Sequence, residues 1–206
     1  MDYQQVIESL KVAYGRESAE KRDLEDKQDW KLAERQAFLD LLRLEGKQKL
    51  LEVGAGTGTD SLFFQQQGLE VIATDLSPAM VDLCRVKGLE AYAQDFLGLD
   101  FPPASFDALY ALNCLLHVPA QDLPAVLEKL SSLLRSGGLF FLGIYGGIEK
   151  EGVSDKDWHH PPRFFSRHTE AFMRQAVEAY FEIVSFKTIP LEKSEWSFQA
   201  MVLRRP

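Results

Sequence analysis

Glycine stands at every second position in Gly54-Ala55-Gly56-Thr57-Gly58, directly after the apolar run Leu50-Leu51-Glu52-Val53. Glycine admits positive φ and lets a ligand approach bare main chain. A turn of this kind opening a helix presents backbone N–H groups and the positive end of the helix dipole, which suits a carboxylate or phosphate. The turn lies at the carboxyl end of the first strand, where open α/β sheets place ligands. A second acidic position, Asp75, ends the next apolar run, Glu70–Thr74. A carboxylate there accepts both hydroxyls of an adenosine ribose. Its structural alternative is to cap the helix that begins at Leu76-Ser77-Pro78, a task Ser77 also suits.

These features also fit a nicotinamide-binding fold, and an NAD(P)-dependent oxidoreductase is the competing enzyme reading. Three details favour a methyl donor: the spacing is G-x-G-x-G rather than G-x-G-x-x-G, Glu52 sits two positions before the first glycine, and Gln94-Asp95-Phe96 follows the third strand, where an adenine would lie.

Taken in order, Leu51-Glu52-Val53-Gly54-Ala55-Gly56-Thr57-Gly58, Ala73-Thr74-Asp75-Leu76-Ser77-Pro78-Ala79-Met80, Ala93-Gln94-Asp95-Phe96, Phe106-Asp107-Ala108-Leu109-Tyr110-Ala111-Leu112-Asn113 and Leu134-Arg135-Ser136-Gly137-Gly138-Leu139 resemble the class I S-adenosylmethionine-dependent methyltransferases, in particular the small-molecule branch of types 11 and 25. The likeness is good over roughly residues 30–145 and loose elsewhere. It implies that Gly54, Ala55 and Gly56, with Gly58 completing the turn, line the methionine moiety, and that Glu52 organises the amino end. It further implies that Asp75 clamps the ribose, Leu76 and Met80 pack on the adenine, Asp95 and the Phe96 amide read its edge, and Asn113 meets the donor's amino group. Arg135-Ser136-Gly137-Gly138 departs from the family's Arg-Pro-Gly-Gly and reads as a structural turn. The implied activity is in-line, metal-independent methyl transfer from S-adenosyl-L-methionine to a small-molecule acceptor; a non-catalytic module that binds the donor is the other alternative.

His117 lies where such enzymes place a histidine facing the substrate. It is a candidate general base, or else a packing or capping residue. Substrate-side candidates are Tyr14 and Arg35 ahead of the first strand, Tyr145 at the end of the fifth, and His160 and Arg163 in Asp157-Trp158-His159-His160-Pro161-Pro162-Arg163-Phe164-Phe165-Ser166. Arg35 facing solvent and a packed surface loop are the plainer readings. Trp30 is a further candidate. His159 and His160 are adjacent, so they do not form an i, i+4 metal pair, and no metal site is expected.

Strands alternating with helices must position these groups, which predicts an α/β, Rossmann-like, doubly wound sheet of seven mostly parallel strands with an antiparallel C-terminal edge pair. A single domain over residues 1–206 is expected, with an N-terminal helical cap over 1–46 and an irregular substrate-side loop over 146–167. Lys plus Arg number 23 against 31 Asp plus Glu, a net charge of −8, which argues against a nucleic-acid partner. The charge-dense stretch 17–29 reads as a solvated helix face or connector. Cys84 and Cys114 read as buried thiols. The first residues carry no apolar leader and no run approaches a membrane span, so a cytoplasmic address is expected.

Overall fold

The computed structural model describes residues 2–24, 27–154, 156–192 and 194–206. The elements are α1 (Tyr3–Ala13), α2 (Arg16–Asp23), α3 (Asp29–Leu44), β1 (Lys49–Val53), α4 (Thr59–Gln66), β2 (Glu70–Asp75), α5 (Pro78–Val86), β3 (Glu90–Ala93), β4 (Phe106–Leu112), a 3-10 turn (Leu115–His117), α6 (Leu123–Leu133), β5 (Leu134–Gly146), β6 (Lys150–Val153), β7 (Phe164–Arg167), α7 (Glu170–Glu178), β8 (Glu182–Pro190) and β9 (Ser197–Arg204). The main sheet has the order β3-β2-β1-β4-β5-β9-β8. The pairs from β3 to β5 are parallel, and β9 enters antiparallel between β5 and β8. The order reverses between β1 and β4, and that switch point is where a crevice opens at the strands' carboxyl ends.

Alternation along the central strands builds a core on each face of the sheet. In β4 and β5, Leu109, Ala111, Phe140, Leu142 and Ile144 point to one side, against α1, α6 and α7. Ala108, Tyr110, Leu139 and Phe141 point to the other, where Phe38, Leu39 and Leu42 of α3 and Phe64 of α4 cover them. Tyr110 and Phe141 stack at 4.9 Å. Helix α6 earns its place through Leu123, Val126, Leu127, Leu130 and Leu133, all buried at helical spacing. Truncating one of these leucines to Ala costs about 2–5 kcal/mol.

Local signals set the helix starts. Asp2 and Gln5 form a reciprocal capping box on α1. Ser77 caps α5 ahead of Pro78, and Thr169 caps α7. Ser77, not Asp75, therefore holds the capping role. Within 17–29, helix α2 accounts for the charges up to Asp23; Glu25 and Asp26 lie outside the described residues, as does Asp155 in the later loop. The expected irregular segment 146–167 is partly regular: β6 and β7 pair antiparallel, with Gly152 opposite Phe165. No helix among the described residues is long and apolar enough to cross a membrane.

Candidate functional site

Two glycines of the turn after β1 have different reasons to be glycine. Both sit at positive φ, +66° for Gly54 and +57° for Gly56. A Cβ on Gly54 would stand 2.3 Å from the Cβ of Cys114, so protein packing forbids it. A Cβ on Gly56 would meet nothing within 4 Å: it points into open space. Gly58 is packed like Gly54, against Leu89 and Cys84, and does not line the cavity. The cysteines brace this turn. The Cys114 thiol donates to Val53 O at 3.2 Å and the Cys84 thiol to Gly56 O at 3.3 Å. Burial raises both thiol pKa values, Cys84 to about 12, so both remain protonated donors.

The space beside Gly56 belongs to a cavity at the carboxyl ends of the strands, open at its mouth. Asp75 enters it from the end of β2. Its Oδ2 accepts the Gly56 amide at 2.8 Å and its Oδ1 the Ser77 amide at 2.9 Å; each oxygen keeps a second lone pair. Burial raises the Asp75 pKa, and the two amides oppose that rise. Asp95 Oδ1 accepts the amides of Leu97 and Gly98. Two buried amide oxygens on the wall, Gln94 Oε1 and Asn113 Oδ1, have no partner among the described residues. Asn113 is held at φ +56°, its own amide donating to Gly143 O at 2.7 Å. Leu76, Met80 and Phe96 complete this end as expected.

Helix α1 closes the cavity with Tyr3, Ile7 and Leu10, and Tyr14 follows at its end. Their 4-3-4 spacing puts them on one face. Ser77 Oγ donates to Tyr14 O at 2.6 Å and ties the end of α1 to the start of α5.

A second lobe continues past Gly54, Gly56, Asn113 and His117 toward the β6–β7 ribbon. Glu52 and Asp60 are buried here at 2% exposure each. Burial first, and then the neighbouring Asp60, raises the Glu52 pKa. Ser61 Oγ donates to Glu52, and Asp60 is matched by Lys27 and by Arg35 at 2.8 Å. Arg35 thus lines neither lobe. Its guanidinium lies 3.8 Å from the Phe63 ring centroid and serves the buried acid, because a carboxylate taken out of water needs a cation.

His117 is 6% exposed, and both ring nitrogens are engaged. Nδ1 lies 2.7 Å from Phe164 O, and a carbonyl only accepts, so Nδ1 carries the proton. Nε2 then accepts the Tyr14 hydroxyl at 2.8 Å, and Tyr14 Oη accepts from Arg163 at 2.9 Å. Burial lowers the His117 pKa to about 3. Arg163 is anchored by Asp157, which also meets His159 at 3.1 Å; these bonds outweigh burial and hold the Asp157 carboxyl low. His159 turns inward to Ser18 at 3.1 Å. His160, its neighbour, is exposed and lines a separate shallow groove with Trp158, away from the cavity. Trp30 packs 4.5 Å from Phe198 and serves the core.

The structure brings together Glu52, Gly54, Ala55, Gly56, Asp75, Leu76, Met80, Asp95, Phe96, Asn113, His117, Tyr14, Tyr145 and Arg163. Sequence reading missed Arg22, Lys27, Arg167 and Trp196 on the second lobe, and reached Phe165 only as part of the aromatic segment. One signal was available: Arg163, Phe165 and Arg167 alternate, and in a strand such residues share a face.

Residues 50–138 match the family model described as a methyltransferase domain. A ubiquinone biosynthesis O-methyltransferase of Xylella fastidiosa (strain 9a5c) is 35% identical over 103 residues, covering 46% of this chain and 40% of that protein. The chain therefore spans about two fifths of that relative's length. Among solved structures, 1,6-didemethyltoxoflavin-N1-methyltransferase of Burkholderia thailandensis, with bound S-adenosylhomocysteine, superposes with a TM-score of 0.66 at 24% identity, over 84% of this chain and 78% of that one. Magnesium protoporphyrin IX methyltransferase of Synechocystis PCC 6803, also with bound S-adenosylhomocysteine, gives 0.72 at 18% identity over 100% of both chains. These likenesses establish the shared fold.

Proposed function

We propose that the chain is a class I S-adenosylmethionine-dependent methyltransferase, as its methyltransferase-domain match supports, and that it transfers a methyl group from S-adenosylmethionine to a small-molecule acceptor. One observation carries the reading: the open side of Gly56 faces a cavity whose wall holds Asp75, Asp95 and the unpartnered oxygens of Gln94 and Asn113. A wall of acceptors suits a ligand rich in N–H and O–H donors. An adenosine with two ribose hydroxyls, an exocyclic amine and an α-ammonium group is such a ligand.

Asp75 would hold the ribose and Asp95 the adenine edge, between Leu76, Met80 and Phe96. Gly54 and Gly56 would admit the methionine chain against main chain, with Asn113 Oδ1 at its amino end. The donor supplies an electrophilic methyl group on a sulfonium. The protein's task is then to orient the acceptor in line and exclude water, which is worth up to roughly 7–11 kcal/mol. Tyr3, Ile7 and Leu10 of α1 supply the cover. His117 Nε2 already accepts from Tyr14, and burial keeps the ring neutral down to about pH 3, so His117 is poorly placed to take a proton directly from the acceptor.

Calorimetric titration with S-adenosylhomocysteine and, separately, with NADH tests this reading. Micromolar binding of the former and none of the latter is expected. The reverse order would replace the methyl-donor assignment with a nicotinamide one.

A further inference from the structure

The second lobe is basic in a chain of net charge −8. Arg22, Lys27, Lys31, Lys156, Arg163 and Arg167 line it, against the carboxylates Glu52, Asp60 and Asp157. Each of those carboxylates is committed: Glu52 to Ser61, Asp60 to Lys27 and Arg35, Asp157 to Arg163 and His159. Arg167 is different. It is 8% exposed, and among the described residues its buried Nε has no partner and no carboxylate meets it. Burial and the neighbouring Arg163 both lower its pKa.

Two rings hold the guanidinium. Its carbon lies 4.4 Å from the Phe165 ring centroid and 4.1 Å from that of Trp196. Such stacking fixes the plane and retains the charge. It satisfies none of the in-plane N–H donors, which match a carboxylate or phosphate edge. A buried cation with an unpaired donor is costly unless a counter-ion arrives. The strand explains the placement. In β7, Phe165 and Arg167 face the lobe, while Phe164 enters the core and Ser166 bonds Glu151 and His168.

We propose that Arg167 is the receptor for an oxyanion, a carboxylate or a phosphate, carried by the methyl acceptor, so that the substrate class is anionic small molecules. This rests on the methyl-transfer reading for the word acceptor; the oxyanion site itself does not. The test is calorimetry on the full chain, first with S-adenosylhomocysteine, then titrating that complex with benzoate, phenyl phosphate and the neutral control benzamide. At least one oxyanion binds, benzamide does not, and the tighter of the two identifies the group. Arg167→Gln weakens that binding at least 10-fold and leaves S-adenosylhomocysteine affinity within twofold. Arg167→Lys, which keeps the charge and loses the fork, weakens it at least threefold and carries the test if the Gln variant does not fold. Oxyanion affinity unchanged in either folded variant, equal binding of benzamide, or no oxyanion binding to the wild type overturns the inference. Oxyanion binding through Arg167 in a chain that ignores S-adenosylhomocysteine would sink the methyl-donor reading and leave the oxyanion receptor standing.

Discussion

Gly54, Gly56, Asp75, Gln94, Asp95 and Asn113 shape one lobe of the cavity from the ends of four consecutive parallel strands, largely with backbone and short side chains. Tyr14, Arg163, Phe165, Arg167 and Trp196 shape the other from the N-terminal helices, the β6–β7 ribbon and the start of β9, with long cationic and aromatic side chains. The first lobe is fixed by the sheet itself, because each residue sits at a strand end whose position the core enforces. The second is held by hydrogen bonds between distant segments, such as Tyr14 to His117 and Arg163. Recognition of one shared donor suits the first construction, and acceptor choice suits the second, where residues change without disturbing the sheet.

Substitutions at the turn should expose that contrast most strongly. Gly54→Ala forces a Cβ against Cys114 and places alanine at positive φ, so stability should fall by about 2–4 kcal/mol. Chemical denaturation checks this, and adding Cys114→Gly should restore the packing part only. Gly56→Ala should cost about 1–2 kcal/mol from conformation alone. It should nevertheless weaken S-adenosylhomocysteine at least 100-fold, because its methyl group enters the open space. Asp75→Asn exchanges a carboxylate that accepts two amides for a neutral amide. A calorimetric loss of about 10- to 100-fold in donor affinity is expected, in line with roughly 1.5–3 kcal/mol for charge-assisted hydrogen bonds.

Across the cavity, Tyr14→Phe leaves Nε2 of buried His117 without its donor and should cost about 1–3 kcal/mol of stability. Donor affinity should change little, so a drop equal to that of Asp75→Asn would erase the distinction between the lobes. His117 adds a pH dependence. The unfolded chain takes up the imidazole proton near pH 6.5, whereas the folded chain stays neutral down to about 3. The unfolded state binds more protons in that window, so stability is full above about 6.5 and declines as pH falls through it, by up to roughly 1.4 kcal/mol per unit. His117→Gln should flatten that acid limb in denaturation measured between pH 4 and 7.

Much of the first lobe was readable from residue order, since a glycine turn, an acid closing the next strand and Gln94-Asp95 after the third are local patterns at strand ends. The sheet was readable for the same reason: apolar runs and helical spacing are short-range. What was not readable depends on contacts between segments. Nothing near Gly54 announces that Cys114 is what requires glycine there. Arg35 reads as either a substrate-side candidate or a solvent-facing residue, and it is neither, because Asp60 is buried beside it. Of the two adjacent histidines the sequence reading singles out His160, but it is His159 that turns inward, to Ser18, while His160 is exposed. Arg167 fell just beyond the aromatic segment that drew attention, although its alternation with Arg163 and Phe165 was there to see.

A crystal structure of the S-adenosylhomocysteine complex tests the central claim most directly. The ribose hydroxyls should lie within hydrogen-bond distance of the Asp75 carboxylate, with the methionine chain passing the open side of Gly56 and the amino group at Asn113. A ligand bound elsewhere, or one whose sugar leaves Asp75 bonded only to the Gly56 and Ser77 amides, would contradict it.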